Sequence, residues 1–208
     1  MKTEFNDKQI QILEVAETLF AEKGFDGTSI RDISKEAKIN IAMVSYYFGS
    51  KERLLEALIL HKTAGLKEQL ENLLEENLEP VAKINKLIEL YINRINCNRG
   101  IYRILHFELS SKKHVLHLQS FSDFKKVNLK SLELIIKEGQ AKGVFRKDII
   151  IPLITPTILG TYFHFHMNRP FFEELLDLKT ETLYNNYIQN DLTKHIQQTI
   201  KALLIYEN

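Results

Sequence analysis

The chain has 208 residues, with 28 Lys and Arg against 27 Asp and Glu, a net charge of +1 at pH 7 and a hydrophobic share of 44%. That length supports one large or two small packed cores. The near-neutral balance excludes nucleic-acid binding by bulk positive charge, so any such surface must come from where the charges sit.

Eight Gly and four Pro argue against a turn-rich β protein and for long helices. Cys97 is the one cysteine, which rules out an internal disulfide and fits a reducing compartment. The N-terminal stretch MKTEFNDKQIQILEVAE carries acids and has no apolar run, so it does not read as a signal peptide. The most apolar stretch, 149–167, holds two prolines, Gly160 and two histidines, a poor membrane span. The expected location is the cytoplasm, without membrane association.

The first helix is predicted to start after Asn6, with Gln9 completing a capping box, and to bury Ile10, Leu13, Ala16 and Phe20. Gly24 ends it, and Phe25 can pack back on it. Ser29 with Asp32 forms a second capping box, so a second helix begins there and buries Ile30, Ile33 and Ala37. Lys38 and Ile39 make a short turn. Asn40 caps a third helix over 41–48 that Gly49 stops. Ser50 caps a long fourth helix, 51 to about 77, carrying Leu54, Leu55, Leu58, Ile59 and Leu66.

Pro80 opens a segment with Val81, Ile84, Ile88, Tyr91 and Ile95 inward. A short helix over 101–109 follows the break at 98–100. A long one runs to about 141, a proline-interrupted one covers 148–169, and the last spans about 180–206. In that last helix Leu192, Ile196, Ile200, Leu203 and Leu204 face inward or into an interface. No segment alternates with period two. The fold class is all-α, about nine helices.

Residues 29–48 have the form of a helix-turn-helix, whose second helix enters the DNA major groove. At 100° per residue, Val44 and Phe48 point inward and Tyr46 points directly away from them. Ala42 and Met43 also face outward, with Ser45 and Tyr47 on the flanks. Tyr hydroxyls suit phosphates, a thioether suits a thymine methyl, and a small Ala allows close approach. Thr28 and Ser29 at one helix start, and Ser50 and Lys51 at another, are candidate phosphate sites. Arg31 can reach a base edge or phosphate. Asn40 joins the candidate set at the start of the recognition helix. Residues 27–53 hold five Lys and Arg against three acids, although 1–66 hold nine against ten.

The stretch LFAEKGFDGTSIRDISKEAKINIAMVSYYFGSKERLLEAL resembles the N-terminal domain of the tetracycline-repressor (TetR) family of bacterial transcriptional regulators. The likeness covers residues 10 to about 60. EGQAKGVFRKD, 138–148, is similar to the family's loop between its seventh and eighth helices. Two departures stand out. Lys38 occupies a turn where the family usually has Gly, and Ser45 stands where Tyr is frequent.

The resemblance implies three parts: a DNA-binding domain over 1–50 with its helix-turn-helix at 29–48, a connecting helix over 51–78, and a helical ligand-binding and dimerisation domain over 79–208. It implies a homodimer through the last two helices that binds a palindromic double-stranded DNA operator. It also implies a repressor released by a small-molecule effector, with the fourth helix as the lever. Candidate pocket residues are Tyr91, Tyr102, His106, Phe107, Phe121, Phe124, Tyr162 and His166, each of which also reads as ordinary core.

No catalytic motif, cofactor loop or metal-ligand set is evident. His164 and His166 are two apart and diverge on a helix, and His114 and His117 have no third ligand at suitable spacing. The expectation is a protein that is not an enzyme and carries no metal or cofactor. The alternative reading is a small all-α enzyme or protein-interaction module with an incidental helix-turn-helix.

Overall fold

The computed structural model describes residues 5–110 and 119–205, with side chains for those outside 106–110 and 119–124. All regular structure among the described residues is helical. The elements are α1 (Asp7–Lys23), α2 (Ile30–Glu36), α3 (Ile41–Phe48), α4 (Lys51–Thr63), α5 (Leu66–Glu75), α6 (Pro80–Cys97), α7 (Arg99–Ser110), α8 (Gln119–Ala141), α9 (Ile154–Met167), α10 (Arg169–Leu175), α11 (Glu181–Tyr187) and α12 (Thr193–Leu204). A short 3₁₀ turn, Ile151–Leu153, precedes α9, and a π-helical turn, Ile188–Leu192, joins α11 to α12. The fold is all-α, as the residue pattern required.

Local chemistry accounts for most helix starts. Asn6 and Gln9 exchange the two bonds of a capping box, each at 3.0 Å. Ser29 and Asp32 form the second capping box. Asn40 accepts the Ala42 N–H at 2.8 Å, and Ser50 accepts the Arg53 N–H at 3.2 Å. Each satisfies a donor that the helix leaves unpaired at its first turn.

The predicted long fourth helix is two helices. The chain leaves helical geometry at Ala64, where ψ is 142°, and Gly65 takes φ 82° before α5 begins at Leu66. A left-handed residue cannot continue a right-handed helix, and glycine takes it at no steric cost. The apolar periodicity continues across the break, which is why it reads as a single helix. α10 was also not anticipated, since the sequence reading ended its proline-interrupted helix at 169.

The described residues form two compact units, one from those of 1–66 and 97–125, the other from 67–96 and 126–208. The division differs from the expected parts in two ways: the second unit begins at 67, inside the stretch 51–78 expected as one connecting helix, and α7 falls in the first unit although 79–208 was expected as one domain. Ile101, Ile104 and Leu105 of α7 join Ile12, Leu13, Ala16 and Phe20 of α1 and Leu54, Leu55, Leu58 and Ile59 of α4 in one core. Ile33 of α2 and Val44 and Phe48 of α3 close that core from the other side.

In the second unit, buried residues of α6 (Ile84, Leu87, Ile88, Ile92), α8 (Leu132, Ile135, Ile136), α9 (Ile158, Tyr162, Phe165) and α12 (Ile196, Ile200, Leu204) supply the core. Within it, the Lys83 side chain is 5% exposed. Its ammonium donates to the Leu74 carbonyl at 3.0 Å and to Glu138 Oε2 at 2.9 Å. A buried ammonium needs such partners, because its desolvation is otherwise uncompensated. Lys83 thereby ties the end of α5 to α6 and α8. Hydrogen bonds from Lys83 and Lys142 hold the Glu138 carboxyl below its ordinary range.

The sign of that shift fixes its pH dependence: the contribution is present above the ordinary glutamate range and is lost as pH falls through the lowered value. Lys83→Met should lower stability by about 1–3 kcal/mol. Thermal unfolding followed by circular dichroism should also show a weaker acid dependence in the variant than in the wild type.

Candidate nucleic-acid interface

The first unit presents α3 with its phase as the sequence predicted. Val44 and Phe48 are buried, while Ala42, Met43, Ser45 and Tyr46 are exposed, Tyr46 to 84%. Tyr47 is half-buried, with its ring 5.6 Å from that of Tyr46 and 6.4 Å from that of Phe48. Ile41 is 43% exposed and was missed. Its phase lies near that of Phe48, but the first position of a helix extends past the layer beneath it.

The remaining candidate residues divide by how their polar atoms are used. Thr28 is 1% exposed, and its hydroxyl donates to the carbonyls of Leu19 at 3.1 Å and Gly24 at 2.9 Å. It holds the α1–α2 connection and does not face solvent, contrary to its expected place beside a phosphate. The Ser29 hydroxyl bonds Asp32 at 2.5 Å and accepts the Asp32 N–H at 3.1 Å. The Ser29 hydroxyl and the Ser29 backbone N–H, which donates at 3.0 Å, hold the Asp32 carboxyl below its ordinary range. The start of α2 therefore already carries a carboxylate, which repels the phosphate expected there.

Lys51 departs furthest from expectation. Its ammonium donates to the carbonyls of Phe25 at 2.8 Å and Thr28 at 2.9 Å and lies 4.2 Å from the centre of the Phe25 ring. Two carbonyls and an aromatic face are the partners of a structural cation. The bonds tie the first turn of α4 to the chain between α1 and α2. Gly27 lies on the same connection, where a Cβ would meet the Lys23 carbonyl oxygen at 2.3 Å. Asn40 and Ser50 are spent on helix caps.

The exposed surface includes Arg31, Ile41, Ala42, Met43, Ser45 and Tyr46, together with Lys35 and Lys38, which are not among the residues expected from the sequence. For Lys35 the signal was available, since it lies one helical turn from Arg31 on α2; Lys38 lies beyond the C-cap, where helical spacing no longer applies.

The ligand candidates are less coherent as a set. Tyr91, Tyr162 and His166 lie in the second unit, but Tyr102 packs against the core of the first. The side chains of His106, Phe107, Phe121 and Phe124 lie outside the described residues, as do His114 and His117.

Around Tyr162 is a polar relay that sequence spacing could not reveal. The Tyr162 hydroxyl donates to Asn96 at 3.1 Å, and the Asn96 amide donates to Asn185 at 3.1 Å. His166 Nδ1 lies 3.0 Å from the Tyr184 hydroxyl, and its ring stacks on Tyr162 at 5.9 Å. The Arg169 guanidinium lies over the Tyr184 ring at 4.2 Å and pairs with Glu173 and Glu181, each at 2.7 Å. Among the described residues, no cluster of three or more His, Cys, Asp or Glu could hold a metal ion, and no helix is long and apolar enough to cross a membrane.

A short helix seated by two buried residues, behind a tight turn and with its other faces exposed, defines a helix-turn-helix DNA-binding protein. Comparison with known proteins gives the family. Residues 12–58 match the family described as "Bacterial regulatory proteins, tetR family", and 80–200 match "Tetracyclin repressor-like, C-terminal domain". The chain belongs to the TetR family of bacterial regulatory proteins, and it is a DNA-binding transcriptional regulator.

Among curated proteins it is 31% identical over 167 residues to the HTH-type transcriptional repressor NicS of Pseudomonas putida, covering 76% of this chain and 75% of that one. Among solved structures it resembles HlyIIR, a hemolysin II transcriptional regulator, with a TM-score of 0.61 and 28% identity, covering 96% of this chain and 98% of that one. It also shares the fold of the transcriptional regulator FadR from Bacillus subtilis in complex with stearoyl-CoA. There the TM-score is 0.72 and the identity 21%, over 93% of this chain and 97% of that one. All three are transcriptional regulators by name.

Two substitutions in α3 separate its faces. Phe48→Ala should cost about 3–5 kcal/mol by opening the core, whereas Tyr46→Ala should change stability by no more than about 0.5 kcal/mol. Chemical denaturation of both variants checks this, and equal losses would refute the face assignment. Lys51→Met should cost about 1–3 kcal/mol, because two carbonyls lose their donor, and should leave the salt dependence of DNA binding unchanged.

Proposed function

We propose that the protein acts in the cytoplasm as a homodimer that reads a palindromic operator with two copies of α3 and leaves it when the second unit takes up a small organic effector. The observation that carries the reading is the seating of α3: two side chains are committed to the core, and the exposed ones suit groove contact. Arg31, Ala42, Met43, Ser45 and Tyr46 make the DNA contacts, and Tyr47 contributes from the flank. Thr28, Ser29, Asn40, Ser50 and Lys51 hold those residues in place.

A dimer follows from the geometry of this mode, since paired recognition helices must sit about 34–36 Å apart, or a multiple, to meet successive major-groove turns. Exposed apolar residues on the last helices support the pairing. Leu153 precedes α9, Met167 ends it, and Leu203 lies on the outer side of α12.

Tyr91, Tyr162 and His166 are the effector-lining candidates that share a unit. The relay through Asn96 and Asn185 supplies polar groups beside aromatic walls, which suits an organic molecule with a few polar atoms. Effector and operator are linked, so each weakens the other by the same factor.

Band-shift titration against the DNA upstream of the protein's own gene should show binding that weakens steeply with salt; absence of binding to any promoter fragment at low salt would refute the reading. Leu203→Glu should give a folded monomer in analytical ultracentrifugation and reduce operator affinity by at least about tenfold, through loss of the second half-site. A Leu203→Glu protein that remains a dimer would place the interface elsewhere.

A further inference from the structure

The turn between α2 and α3 contains an unexpected residue. Two bonds close it, from the Ile39 N–H to the Ser34 carbonyl at 3.0 Å and from the Lys38 N–H to the Lys35 carbonyl at 3.2 Å. Together they form the Schellman pattern, which requires left-handed backbone at the residue after the C-cap. The C-cap is Ala37, so that residue is Lys38, with φ 53°.

Glycine is the usual occupant of such a position, because a Cβ there crowds the backbone. Among the described residues the other non-glycine with positive φ is Asp177, a residue type that tolerates this conformation. A lysine has no comparable local compensation. Ala37 is buried and Ile39 packs on the core, so the turn is held from both sides. The Lys38 side chain is exposed and has no hydrogen-bond or ion-pair partner among the described residues. A strained position that bears an exposed, unused cation points to a function outside the fold.

Its neighbours indicate which function. Arg31 and Lys35 lie four apart on α2, about 40° from one another around the helix, Lys38 follows just beyond the C-cap Ala37, and all three are exposed. Asp32 lies off this row and is engaged with Ser29; Glu36 lies about 140° round from Arg31. The row ends at the turn that leads into α3.

We propose that Lys38, with Lys35 beside it, contacts DNA phosphates and extends the Arg31 row along one strand to the start of the recognition helix. The proposal rests on the operator-binding reading above. Lys38 is retained in a strained backbone because its ammonium neutralises a phosphate that a glycine would leave bare.

Three variants test this: Lys38→Gly, Lys38→Gln and Lys38→Arg. Affinity for the operator and for an unrelated duplex is measured by fluorescence anisotropy between about 50 and 200 mM salt. Lys38→Gly and Lys38→Gln should each reduce the slope of log K against log salt by about 0.9 per subunit. They should weaken binding to both duplexes by the same factor. Lys38→Arg should keep the wild-type slope.

Lys38→Gly should also raise the thermal midpoint by about 2–4 °C through relief of the turn, while Lys38→Gln should not. Wild-type slopes in both neutral variants would overturn the phosphate contact while leaving operator binding intact. A wild-type protein that binds neither duplex at low salt would overturn both readings.

Discussion

Val44 and Phe48 hold down a helix of eight residues, a length that does not persist alone in water. Their burial against Ile33 and the α1 and α4 side chains fixes the rotation of α3, and that rotation decides which of its residues can meet a groove. Were the helix turned by one residue, Tyr47 would take the place of Tyr46 at the outermost point and the core would lose its two anchors. The rest of the first unit, including three residues of α7, serves the flat apolar surface on which those two side chains sit.

The polar residues near α3 support that anchor more than they extend it. Thr28, Ser29, Asn40, Ser50 and Lys51 look alike in sequence, as hydroxyls, an amide and an ammonium near helix starts. In the structure each satisfies a backbone group of the protein itself. Lys51 is the clearest case, since its two carbonyl partners lie on a segment that the α2 capping box then continues. The exposed cations of this unit's helix-turn-helix, Arg31, Lys35 and Lys38, lie on and just beyond the solvent side of α2.

The second unit uses its polar groups in the same way. Lys83 stitches α5 to α6 and α8, and the Asn96 relay stitches α6 to α9 and α11. Partly buried networks of this sort hold one arrangement firmly when every member is satisfied.

The sequence by itself determined what depends on neighbours three or four residues apart. It set the all-α class, the caps at Asn6, Ser29, Asn40 and Ser50, the helix-turn-helix at 29–48 and the phase of α3. These are written in local hydrogen bonds and apolar spacing, and the family resemblance rests on the same residues. Only the tertiary structure decided the break at Gly65, the place of α7 in the first core, the burial of Lys83 and the use of Lys51 on two carbonyls. Each of those depends on groups that meet across distant parts of the chain, or on a backbone angle that one glycine permits but does not require. Periodicity records which side of a helix is apolar, but not which partner covers it.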